Sequence, residues 1–177
     1  MRCGACLAHP LPLARCLCAV DYAEPWDRLI VRFKYHGGID LAPVLADRLA
    51  GAIEAQRDAT VDLIVPMPLA PRRLAERGCN QAWELARRVA RRLGQRADPL
   101  MLQRMLDRAP QAGLDRAARR RNLQGVFAVP HGAAVAGRHL ALVDDVLTTG
   151  ATVAEAAQTL LAAGAATVQA WVLARTP

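Results

Sequence analysis

Two adjacent carboxylates, Asp144 and Asp145, stand between an apolar run and a hydroxyl-rich turn. The run, Leu140 to Val143, has the pattern of a buried parallel strand. The turn is Val146-Leu147-Thr148-Thr149-Gly150-Ala151-Thr152. A strand ending there carries both acids to the edge of a sheet. Paired carboxylates at such a place accept hydrogen bonds from a sugar diol or hold a hydrated Mg²⁺. Thr148, Thr149, Gly150 and Thr152 make a tight loop whose backbone N–H groups can converge on one anion, and Gly150 permits close approach. The helical pattern that follows, roughly Ala151 to Ala163, turns its positive end to that anion. A diol grip beside a phosphate nest describes a ribose 5-phosphate. Alone, the acids are equally well a solvated turn, and Thr-Thr-Gly an N-cap. The ordered succession of strand, acids, loop and helix favours the sugar phosphate.

Three other stretches carry chemistry. Val61 to Val65 reads as a second buried strand, stopped by Pro66-Met67-Pro68. Ligands of open α/β sheets bind beyond such strand ends, so this rigid loop can offer N–H groups to a second anion, or be a plain connector. Gln103 to Gln124 carries Arg104, Arg108, Arg116, Arg119, Arg120 and Arg121, punctuated by Pro110 and Gly113. It suits a mobile lid over an anionic substrate, with a nucleic-acid contact as the rival and a plain insertion as the bland reading. At the N-terminus Cys3-Gly-Ala-Cys6 is a good metal knuckle, and Cys16-Leu-Cys18 a poor second half of one. Together they make a zinc site or a set of free thiols.

The elements that must position these groups follow from periodicity. Pro25 suits a helix start, with Leu29, Ile30 and Phe33 as its apolar face. Lys34 lies at its end, before Gly37-Gly38; it is a solvated residue or one that reaches a phosphate. Asp40 to Gln56 is a helix by period, with Asp40 as its cap. Pro71 to Leu93 is helical but interrupted at Arg77-Gly78-Cys79-Asn80-Gln81. Its second half sets Leu85, Ala86 and Val89 against Glu84, Arg87, Arg88, Arg91 and Arg92. That basic face is solvated surface or a nucleic-acid contact. Leu100 to Leu102 is a short strand, and Thr167 to Leu173 a last one after a helix stop at Gly164. Alternating strands and helices predict an α/β fold, one Rossmann-like domain with a parallel sheet flanked by helices.

The totals agree. A chain of 177 residues is enough for one such domain. Hydrophobic content is 53% but aromatics only 4%, which points to Ala-rich helices. No apolar run approaches the ~20 residues of a membrane span. No signal peptide is visible, so a cytoplasmic, reducing location is expected. The net charge of +7 comes almost wholly from Arg, Lys34 being the one lysine. It reflects codon bias or an anionic partner. Neither a Gly-x-Gly-x-x-Gly nor a Walker A pattern is present, which argues against dinucleotide and nucleoside-triphosphate folds.

The string from Leu140 to Thr152 resembles the phosphoribosyl pyrophosphate (PRPP) signature of type I phosphoribosyltransferases. The order of features across nearly the whole chain resembles the ComF/GntX family. The matching pieces are Cys3-Gly-Ala-Cys6-Leu7, Asp21 to Pro25, Leu29-Ile30 through Phe33-Lys34-Tyr35, Val65-Pro66-Met67-Pro68-Leu69, Arg77-Gly78-Cys79-Asn80-Gln81, Arg121-Asn122-Leu123 with Phe127, and Val168 to Arg175. The resemblance implies that Asp144 and Asp145 grip the ribose hydroxyls and that Val146 to Thr152 cradle the 5-phosphate. It implies a pyrophosphate loop at Pro66 to Pro68, Arg77 near the phosphates, and the Arg-rich stretch as a flexible hood. It implies Mg²⁺ with PRPP, an unknown acceptor, and a link to natural competence and DNA uptake. The alternative is a non-catalytic PRPP sensor or single-stranded-DNA-binding competence protein. Two features depart from the family: Cys79 replaces an aromatic, and only Cys3 and Cys6 align with its zinc ribbon. Residues 1–19 are therefore expected to be a partial zinc-ribbon segment, and 20–177 the phosphoribosyltransferase-like domain.

Overall fold

The computed structural model describes residues 10–35, 37–56, 60–105, 125–131 and 133–176. Four parallel strands form the main sheet: β1 (Arg15–Asp21), β2 (Leu63–Pro66), β5 (His139–Leu147) and β6 (Thr167–Arg175), in the order β1-β6-β5-β2. Two short strands, β3 (Gln103–Arg104) and β4 (Phe127–Ala128), pair antiparallel beside it. The helices are α1 (Trp26–Tyr35), α2 (Ala42–Glu54), α3 (Pro71–Arg77), α4 (Gln81–Leu93) and α5 (Ala151–Ala162). This is the α/β fold that the alternation predicts.

Strand residues alternate between faces, and the core divides accordingly. On one face Ile64, Ala141, Val143, Trp171 and Leu173 pack against α1, α2 and α4. On the other, Leu63, Val65, Leu140, Leu142, Ala170 and Val172 pack against α5 and the β3–β4 region. Asp144 and Asp145 inherit this alternation. Asp144 leans to the α5 side and Asp145 to the α1 side.

Several boundaries differ from expectation. β5 runs on through both acids to Leu147, because β6 continues beside it to Arg175. Asp40 does not cap α2. It lies in a 3₁₀ turn, Gly38–Leu41, and pairs with Arg32 at 3.0 Å, while a proline in the first helical turn starts α2. The short strand expected at Leu100 to Leu102 falls at β3 instead, since Met101 and Leu102 are drawn into the core. β1 has no counterpart among the expected elements. Among the described residues no helix is long and apolar enough to cross a membrane.

Candidate active site

Two strand ends build the site. β2 stops at Pro66, and the Met67 N–H donates to Val143 O at 2.8 Å, holding the following loop against β5. α3 then ends at Gly78, whose φ of 73° breaks the helix. Asn80 starts α4: its Oδ1 accepts from the Ala82 and Trp83 amides, and its Nδ2 donates to Met67 O at 3.0 Å. The interrupted helix read from Arg77 to Gln81 is thus a cap tied to the β2 loop.

The second strand end carries the acids. Asp144 Oδ1 accepts from the Asp145 amide at 2.9 Å. Asp145 Oδ1 lies 2.9 Å from Lys34 Nζ, on the last turn of α1. Burial pushes the Asp144 carboxyl up to about 7, and the neighbouring Asp145 charge adds to this; the Asp145 amide and Lys34 oppose it. A carboxyl titrating near neutrality can donate to or accept from a hydroxyl.

Beyond Leu147 the chain turns through Thr148, Thr149 and Gly150 into α5. Gly150, with φ 75°, precedes the first helical residue and has no side-chain cap. Among the described residues the Thr148, Thr149 and Gly150 amides donate to no group, while the Ala151 amide reaches Thr149 Oγ1 at 3.4 Å. These donors stand at the positive end of a helix and suit an anion.

One cleft of ≈ 220 Å³ brings the pieces together. Of the residues expected at a site, Met67, Pro68, Arg77, Arg104, Asp144, Asp145, Val146, Leu147, Thr148, Gly150, Ala151 and Thr152 line it. Pro66 is buried in β2, and Thr149 does not line the wall. Arg108, Arg116, Arg120 and Arg121 of the expected hood, and Cys3 and Cys6, lie outside the described residues. Cys16 and Cys18 lie within β1, paired to β6, and no group of three metal-ligating side chains occurs among the described residues.

The cleft also takes in Lys34, which the sequence offered as a residue that reaches a phosphate, together with Tyr35, Arg73, Asn80 and Gln81, to which the sequence assigned no site role. Arg77 stacks over the Tyr35 ring at 4.8 Å and donates to Gln81 Oε1 at 3.2 Å. The isolated lysine and the Arg-Gly-x-Asn-Gln string were the available signals. The basic face of α4 is largely committed elsewhere. Arg87 and Arg88 pair with Glu84, and Arg92 pairs with Glu54 and Asp47.

The two carboxylates are few for an all-protein cage, but they fit an ion that arrives coordinated by ligand phosphates.

No family model matches the chain. It is 40% identical over 178 residues to the DNA utilization protein YhgH of Escherichia coli O6:H1, covering 98% of this chain and 78% of that protein. It is 34% identical over 184 residues to competence protein F of Haemophilus influenzae, again covering 98% and 78%. Among solved structures it resembles the glutamine PRPP amidotransferase of B. subtilis with a TM-score of 0.50 and 19% identity. That likeness covers 80% of this chain and 30% of the longer enzyme, and it concerns the fold alone.

Proposed function

The chain belongs to the ComF/GntX family, with YhgH and competence protein F as relatives and a type I phosphoribosyltransferase fold, and on that premise we propose that it binds PRPP and transfers the phosphoribosyl group. The carrying observation is the set of Thr148–Gly150 amides that lack acceptors among the described residues, next to an acid pair at the end of β5. In this reading the amides and the α5 N-terminus hold the 5-phosphate. Asp144 and Asp145 hold the ribose hydroxyls. The Pro66–Pro68 loop, with Arg77, faces the diphosphate. Bound Mg²⁺ would supply neutralising charge to that diphosphate.

The bond from C1 to the diphosphate breaks as a nitrogen nucleophile attacks C1, and the leaving diphosphate takes the bonding electrons. The protein contributes positioning and charge complementarity rather than a covalent partner. The names of two relatives, DNA utilization protein YhgH and competence protein F, support a link of this chemistry to competence and the use of DNA. The test mixes protein, PRPP and Mg²⁺ with a panel of nucleobases and follows pyrophosphate release. Release that Asp145→Asn abolishes supports the enzyme; no release with any base, while PRPP still binds, leaves a PRPP-responsive binding protein in its place.

A further inference from the structure

Asp145 already has a partner. Lys34 Nζ sits 2.9 Å from its Oδ1, with the two side chains only 20% and 13% exposed. A diol needs the carboxylate oxygens for itself, so a sugar seated on Asp145 competes with the ammonium. Leaving that cation half-buried without a counter-ion would be costly. The same cleft offers the remedy, since a diphosphate placed against Arg73 and Arg77 brings new oxygens to the wall that Lys34 shares.

The backbone around Lys34 limits how such an exchange can occur. Gly37 has φ 64°. A Cβ on Gly38 would meet the Arg32 carbonyl oxygen at 2.8 Å, so the chain folds back tightly on α1 just after Lys34 and Tyr35. The helix end is held, and the movable part is the flexible four-carbon stem of the lysine.

We propose that Lys34 neutralises Asp145 in the ligand-free protein and passes to a diphosphate seated against Arg73 and Arg77, which frees the carboxylate for ribose hydroxyls. This rests on the reading of the cleft as a PRPP site. The exchange keeps the charge balance of the cleft at each stage and couples the filling of the sugar subsite to delivery of a cation onto the leaving group.

The test is titration calorimetry of the full chain with pyrophosphate and with ribose 5-phosphate, each with Mg²⁺. Lys34→Gln is expected to lose tenfold or more in pyrophosphate affinity and to bind ribose 5-phosphate as well as, or better than, the wild type. Lys34→Arg should recover most of the pyrophosphate affinity. Asp145→Asn should do the reverse, losing ribose 5-phosphate while retaining pyrophosphate. Equal losses of both ligands in Lys34→Gln, or unchanged pyrophosphate binding, overturn the exchange. If Lys34→Gln does not fold, Asp145→Asn decides, and parallel loss of both ligands there overturns it. A wild-type chain that binds neither ligand removes the PRPP reading itself.

Discussion

Asp144 is a half-buried acid whose carboxyl is held near 7 by burial and by Asp145. Because its folded value is raised, the folded protein keeps a proton between about pH 4 and pH 7 that the unfolded chain has released. Stability should therefore fall as pH rises through that window and level off above it. Urea midpoints at pH 5 and pH 8 measure the slope. Asp144→Asn should flatten it and stabilise the ligand-free protein at pH 8, by on the order of a few kcal/mol at most. Gly150 makes a second expectation at this scale. Alanine there must adopt φ 75° and place its Cβ 3.0 Å from Leu11 Cδ1. Gly150→Ala should cost about 1–2 kcal/mol in thermal or urea unfolding. Leu11→Ala in the same chain should relieve the contact but not the backbone strain. The acids and the threonine loop were legible in the sequence because their chemistry is local. Lys34 was legible only as a cation within reach of a phosphate; its pairing with Asp145 was not, because that partner arrives from a strand far down the chain.

Asn80 joins two elements with one side chain. Its Oδ1 caps α4, and its Nδ2 fastens the loop after β2. The two roles can be separated. Asn80→Ala removes both and should cost about 1–2 kcal/mol of stability. Asn80→Asp keeps a capping acceptor but has no N–H for Met67 O. It should unfold near the wild-type midpoint yet bind pyrophosphate more weakly, as calorimetry would show. The interruption of the helix at Arg77 to Gln81 was readable from Gly78 and the polar residues after it; its link to Met67 was not, since a hydrogen bond across thirteen residues leaves no periodic trace. β1 escaped notice for a related reason. As an edge strand most of its residues are only half-buried, so it lacks the unbroken apolar run that marked β5.

At the scale of the molecule, both faces of the sheet are covered and the aromatic share of the core is small. Trp171, on β6 and 1% exposed, is the largest of the fully buried side chains, with its indole N–H donating to Gln169 Oε1 at 3.2 Å. Trp171→Ala should cost about 3–5 kcal/mol, measurable as a lower urea midpoint, because helices rich in alanine cannot close the gap. The parallel class of the sheet followed from alternating strands and helices, but the strand order did not, since pairing joins segments that composition does not relate. That order has a consequence for how the protein is made. β6 comes last of the described strands, yet it lies between β1 and β5. On the ribosome, β1 waits without a neighbour and β5 has only β2 beside it, until residues 167–175 leave the exit tunnel. From the completion of β5 until then, the apolar inner edge of that strand stays open, and the strand that carries the two acids lacks the neighbour that extends it to Leu147.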